Sequence, residues 1–81
     1  MTPAELVAEL RRLSGLTAQA LALRLGVARR TIYQWEVGGD DPKKGYAPGS
    51  DHIEALARIA GVLVSTRGRG WRIQRRETKA V

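Results

Sequence analysis

The sequence predicts a small, mainly α-helical domain of four to five helices that ends in a β-strand or hairpin. Apolar residues recur at helical spacing in four segments between residues 3 and 60. Glycine follows three of these segments, at Gly15, Gly26 and Gly61, as is common where a helix ends. Beyond Gly61 apolar and polar residues alternate, which is the pattern of a strand. With 81 residues, the chain has room for one such domain.

Three residues predict where the first helix begins. Thr2 can cap it, Pro3 suits the first helical position, and Glu5 completes a capping box with Thr2. The apolar stripe that follows has helical spacing and consists of Leu6, Val7, Leu10 and Leu13. Ser14-Gly15 is expected to end this helix.

Two short helices are predicted next, joined by a glycine turn. Thr17 is expected to cap the first of them, which runs to Leu25, and the second is expected over residues 29–37. Two short helices around a tight turn form a helix-turn-helix motif. Its expected core lies where the two helices meet and consists of Leu21, Ala22, Gly26, Val27, Ile32 and Trp35.

A loop and a fourth helix complete the helical part. Residues 38–49 contain four glycines and two prolines and are predicted to form a loop. Ser50 or Asp51 is expected to cap the fourth helix. The apolar stripe of this helix consists of Ile53, Leu56, Ala57 and Ala60.

The C-terminal part is predicted to be a hairpin, or one strand followed by a basic tail. Residues 62–66 and 71–74 alternate in polarity on either side of a turn-like Gly68-Arg69-Gly70. We expect residues 1–63 to form the main domain and residues 64–81 to be a C-terminal strand or hairpin with its tail. Its large apolar residues either pack on the domain's own core or form a dimer interface: Val62, Val64, Trp71 and Ile73.

Charge is concentrated in this C-terminal part. The net charge is +6, yet residues 1–66 hold eight basic and seven acidic side chains, whereas residues 67–81 hold six basic and one acidic. Such a distribution favours an anionic partner, most often nucleic acid and less often a membrane surface. A solvated tail that aids solubility is the alternative.

Composition argues against several other classes of protein. Without cysteine, the chain can have no disulfide and no thiolate metal site, which fits a cytoplasmic location. No apolar run is long enough to span a membrane, and no signal-peptide pattern opens the sequence. No nucleophile with a base, carboxylate pair or metal cluster can be assembled, so we expect no enzyme, cofactor, metal or small-molecule substrate.

Arg29 and Arg30 stand at the start of the third helix, where the helix dipole disfavours cations by about 0.3–1 kcal/mol each. If Ile32 and Trp35 face the second helix, the outward residues are Arg29, Arg30, Tyr33 and Gln34. An anionic partner on this face would explain the unfavourable placement.

The stretch LTAQALALRLGVARRTIYQWEVGG, residues 16–39, resembles the helix-turn-helix of phage repressor, Cro and xenobiotic-response-element (XRE) regulators. The matching features are Leu16-Thr17, Leu21-Ala22, Leu25-Gly26-Val27, Arg29, Thr31-Ile32, Trp35-Glu36 and Gly61-Val62. The resemblance covers residues 4–63 and implies a lambda-repressor-like domain. Three features depart from the family: Ala18 replaces its usual glutamine, Ala28 replaces its usual capping residue, and the loop before the fourth helix is longer.

The resemblance implies a transcriptional regulator that binds double-stranded DNA as a homodimer. Base contacts are then expected from Arg29, Arg30, Tyr33 and Gln34. Phosphate contacts are expected from Thr17, Gln19, Thr31, Lys43 and Lys44. The family often pairs residues at the positions of Arg11 and Glu36, although two unpaired residues are the alternative. An antitoxin, a polymerase-binding factor or an RNA-binding protein remain rival functions, since fold alone does not fix function.

Overall fold

A computed structural model describes residues 1–41, 43–67 and 70–75, and confirms a mainly helical fold with a C-terminal hairpin. Its helices and strands are α1 (Pro3–Ser14), α2 (Ala18–Leu25), α3 (Arg29–Gly38), α4 (Ser50–Ala60), β1 (Val62–Arg67) and β2 (Gly70–Arg75). The predicted turn residues Gly68 and Arg69, and the basic tail from residue 76, lie outside the described residues. Within the described ranges, none of these helices has the length and apolar character that crossing a membrane requires.

Local hydrogen bonds explain where most helices begin. Thr2 Oγ1 accepts from the Glu5 N–H at 3.2 Å while Glu5 Oε1 accepts from the Thr2 N–H at 3.1 Å, so the predicted capping box is formed. Thr17 Oγ1 accepts from the Ala20 N–H at the start of α2. The prediction for α4 is wrong, because the helix begins at Ser50 itself and its N-cap is Gly49, which offers no side chain.

The core lies where the four helices meet. α1 packs against α3 and α4, and α2 packs against α3. The largest fully buried side chains are Leu6, Val7, Leu10, Leu21, Ile32 and Leu56. Trp35 is 5% exposed, and its ring lies 4.9 Å from the ring of His52, centroid to centroid. His52, half-buried in the first turn of α4, therefore packs against the Trp35 ring.

The hairpin is antiparallel and covers one side of the core. Val64 stands opposite Ile73 and Thr66 opposite Trp71, so these residues share one face of the sheet. Val62 is part of the core, and Val64, Trp71 and Ile73 pack against it. The residues predicted either to pack on the core or to form a dimer interface thus have apolar partners within the chain. Their role in a dimer interface stays a prediction.

Met1 lies along the outer edge of β2. The Met1 backbone nitrogen donates to the Trp71 carbonyl at 3.1 Å, and the Trp71 N–H donates to the Met1 carbonyl at 3.0 Å. A Cβ atom at Gly70 would lie 3.1 Å from backbone atoms of Met1. The absence of a side chain at Gly70 therefore allows this close approach.

Candidate nucleic-acid interface

The turn between α2 and α3 sets the angle at which α3 is presented. Gly26 ends α2 with a φ of 72°, a left-handed conformation that residues with a side chain rarely adopt. The Val27 N–H donates to the Ala22 carbonyl at 3.0 Å, which closes the turn. Ala22 is 3% exposed at this junction, so a larger side chain there would separate the two helices.

α3 has a buried side and an exposed side. Ile32 is completely buried and Trp35 nearly so, and both belong to the core. Arg29 and Arg30 are exposed in the first turn, where the N-cap residue Ala28 makes no side-chain hydrogen bond. No acidic residue in this turn compensates the positive end of the helix dipole, and the two arginines add further positive charge there.

One face of α3 continues the exposed side for two full turns. Tyr33 and Gln34 stand three and four residues beyond Arg30, and Val37 stands four and three residues beyond them, so all four lie on one face. Together with the loop they line a shallow groove, here called the α3–loop groove, whose lining consists of Arg30, Tyr33, Gln34, Val37, Gly38, Lys44 and Tyr46. The sequence prediction included four of these seven residues and missed Val37, Gly38 and Tyr46.

A second groove lies between α2 and α3. It is lined by Gln19, Ala22, Leu23, Val27 and Arg29. Although Arg29 and Arg30 are neighbours in sequence, they therefore line different grooves. Arg29 is grouped with Gln19 near the start of α2, and Arg30 is grouped with Lys44 of the loop.

Tyr46 brings the loop back onto α3. A Cβ atom placed on Gly38 would lie only 2.6 Å from Cδ2 of Tyr46, so the ring occupies the space that a side chain at Gly38 would fill. This packing places Lys44 beside the exposed face of α3. Lys43 and Lys44 are both exposed.

The two aspartates of the loop are engaged in hydrogen bonds of their own. Asp40 Oδ1 accepts from the Ala4 N–H at the start of α1, at 3.0 Å. Asp41 Oδ1 accepts from the Lys43 N–H at 2.9 Å. Neither aspartate lines the α3–loop groove, so the groove carries the positive charges of Arg30 and Lys44 without a carboxylate among its lining residues.

The other predicted phosphate contacts lie near the starts of α2 and α3. Thr17 uses its hydroxyl oxygen to cap α2, which leaves its hydrogen available as a donor. Gln19 is exposed in the first turn of α2, and Thr31 is half-buried in the first turn of α3. Backbone N–H groups at such helix starts are themselves favourable to anions.

Arg11 and Glu36 form an ion pair between α1 and α3. The side chain of Glu36 is 13% exposed and that of Arg11 is 34% exposed, so the pair is partly shielded from water. It lies behind the exposed face of α3 and fixes that helix to α1. Within the described ranges, no group of three or more His, Cys, Asp or Glu residues could hold a metal ion.

Comparison with known proteins gives one match. A family model described as Helix-turn-helix matches residues 7–65, which extend from within α1 to within β1 and include both grooves. No curated protein and no solved structure matches the chain significantly.

Proposed function

The chain belongs to the XRE-type helix-turn-helix family of DNA-binding proteins, and we propose that it is a bacterial or phage transcriptional regulator of the repressor/Cro kind. The observation that carries this proposal is the two-sided character of α3. Ile32 and Trp35 fix one side in the core, while the other side carries the exposed Arg30 and Tyr33 and the half-buried Gln34 beside a lysine-bearing loop. Such a helix is suited to enter the major groove.

The side chains on this face match the groups that bases expose there. Arg29 and Arg30 can each donate two hydrogen bonds to the N7 and O6 acceptors of guanine, and Gln34 can pair with the donor and acceptor of adenine. Each such pair contributes about 1–3 kcal/mol of discrimination between bases. Tyr33 lines the same groove as Arg30 and Gln34 and completes the proposed reading surface.

Phosphate contacts would fix the position of the protein on the duplex without reading its sequence. The candidates are exposed or half-buried residues that flank the reading face on both sides: Thr17, Gln19, Thr31, Lys43 and Lys44. Gln19 and Lys44 line the two grooves on either side of α3. This arrangement supports contacts with the two backbones that border one major groove.

We further propose that the protein acts as a homodimer on a palindromic operator, in the cytoplasm where bacterial DNA lies. One copy presents few base-reading side chains, and two copies on half-sites about one helical turn apart would give useful specificity. The outer edge of β1 supports such pairing, because among the described residues nothing hydrogen-bonds to it, whereas Met1 occupies the edge of β2 at Trp71.

Selection of bound duplexes from a random pool, using the full chain, tests this proposal. We expect an enriched palindromic sequence whose affinity falls steeply with salt concentration. Salt titrations with random duplex, single-stranded DNA and RNA are the controls. Equal binding to all sequences, or tighter binding to RNA, would contradict a sequence-specific regulator of duplex DNA.

A further inference from the structure

The α3–loop groove exposes more apolar surface than DNA binding by hydrogen bonds alone requires. Val37 is 83% exposed, Tyr33 is 45% exposed and Tyr46 is 37% exposed. All three line the same groove of about 250 Å³. Isolated exposed apolar residues are ordinary, but three that converge on one groove indicate a contact surface.

This apolar surface is held in a fixed shape. The Tyr46 ring fills the space over Gly38, and Val37 and Tyr33 project from a helix whose opposite side is anchored in the core. The rim of the groove carries Arg30 and Lys44 and no carboxylate. The occupant should therefore present an apolar group while belonging to a strongly anionic molecule.

We propose that the α3–loop groove receives the C5-methyl group of a thymine in duplex DNA. This inference rests on the proposed function and names part of its substrate. The thymine methyl is the apolar group that base pairs display in the major groove, and cytosine lacks it. Val37, Tyr33 and Tyr46 would contact the methyl, while Arg30 and Lys44 contact a neighbouring base and phosphate.

The helix geometry also indicates where this thymine lies. Val37 is seven residues beyond Arg30 on the same face, a rise of about 10 Å along the helix axis. Successive base pairs of a duplex are about 3.4 Å apart. The thymine is therefore expected within about three base pairs of the base that Arg30 contacts, and at the matching position of each half-site.

Replacement of single thymines by deoxyuridine in the selected duplex tests this inference, because uracil keeps every hydrogen-bonding group and loses only the methyl. For the full-length protein we expect one position in each half-site where deoxyuridine weakens binding about fourfold, as expected for one buried methyl group. Deoxyuridine at other thymines should have little effect. 5-Methylcytosine should bind better than cytosine at the same position.

Val37→Ala connects the effect to the groove. Val37 is exposed, so the variant should fold normally, which circular dichroism and its melting temperature will show. The variant should bind the duplex with thymine at the sensitive position and the duplex with deoxyuridine there almost equally. Leu63→Ala is the matched control, since Leu63 is 48% exposed on the hairpin and does not line the groove. Any effect of Leu63→Ala on assembly would change the affinity for both duplexes by the same factor, so the ratio of the two affinities would keep its wild-type value.

Four results would overturn the inference. Tolerance of deoxyuridine at every position of a selected duplex would do so while leaving the proposed function intact. An unchanged thymine preference in Val37→Ala would mean that the methyl is contacted elsewhere. If Val37→Ala sediments as a monomer and keeps its thymine preference, the groove is a contact surface between two copies of the chain. Failure to select any duplex would overturn both this inference and the proposed function.

Discussion

The Arg11 guanidinium donates two hydrogen bonds to the carboxylate of Glu36, from Nε to Oε1 at 2.6 Å and from Nη2 to Oε2 at 3.2 Å. Two parallel bonds of this kind fix orientation as well as distance. Because Glu36 lies on α3 between Trp35 and Val37, the pair fixes the rotation of the helix that carries the reading face.

Glu36→Gln should therefore weaken both folding and DNA binding. We expect the free energy of unfolding in urea to fall by about 1 kcal/mol, because a half-shielded arginine loses its charged partner. Affinity for the selected duplex should also fall when binding is measured under conditions in which the variant is still folded. Glu9→Gln is the control, because Glu9 pairs with the exposed Arg12 within α1 and should have a smaller effect. An equal effect of the two substitutions would remove the special role of the Arg11–Glu36 pair.

Trp35→Ala should destabilise the fold by about 3–5 kcal/mol, because it leaves a cavity in a small core and deprives His52 of its ring contact. Denaturant titration measures this change. Val37→Ala, two residues further along α3, should change the free energy of unfolding by no more than about 0.5 kcal/mol, since Val37 is exposed. A Trp35→Ala variant that melts like wild type would require the helix to be rotated.

Arg30→Ala and Gln34→Ala should each reduce affinity for the selected duplex by about 1–3 kcal/mol and relax the preference at one base position. Arg58→Ala, on α4, is a control for the loss of one positive charge. Lys43→Ala should instead weaken binding to all duplexes alike and lower the salt slope by about one. Unchanged site preference in the Arg30 and Gln34 variants would place the reading surface elsewhere.

Trp71→Ala should lower the free energy of unfolding by about 2 kcal/mol, because Trp71 packs on the core of its own chain. The loss relative to wild type should be the same at every protein concentration, and denaturation of both proteins at several concentrations measures that. A loss that disappears at high protein concentration would show that Trp71 is buried mainly by a second subunit.

Acid should weaken the fold through the capping box of α1. Hydrogen bonds from the backbone and then the side chain of Thr2 hold the pKa of Glu5 below its ordinary value of 4.5. The ionised form is thus favoured by folding, and its stabilisation is complete above this value and lost as the pH falls below it. Glu5→Gln should therefore have a melting temperature that falls less between neutral pH and about pH 3 than that of wild type. Glu54→Gln, which removes the same charge from α4, is the control, and an identical acid response of the two variants would exclude the capping box as the cause.

The helices were predictable because their signals are local. The residues that start and end these helices are adjacent to them in sequence. Helices α1 and α2 are capped at their starts by Thr2 and Thr17, and the C-cap glycines are Gly15, Gly26 and Gly61. The cap of α4 was mispredicted because Ser50, Asp51 and Gly49 are adjacent and any of them suits an N-cap by composition. The structure selects Gly49, with an extended backbone.

The tertiary contacts were harder to predict because nothing local encodes them. Alternation in the hairpin shows that Val64 and Ile73 share a face, but it does not show what covers that face. In the same way, the spacing along α3 placed Arg30 and Gln34 on one side, whereas the return of Tyr46 onto Gly38 depends on the path of the whole loop. The family resemblance could not supply this contact, because the loop is the part that departs from the family in length.

The hydrogen bond from the Ala4 N–H to Asp40 couples the loop after α3 to the first turn of α1, near the N-terminus. The Ala4 N–H has this acceptor only while the loop holds its position. Opening of the loop therefore frees the amide proton of Ala4 to exchange with solvent. A ligand that orders the loop must then slow deuterium exchange at Ala4 by the same factor by which it suppresses loop opening. One backbone amide, remote from any base, thereby becomes a quantitative reporter of occupancy at the lysine-bearing loop.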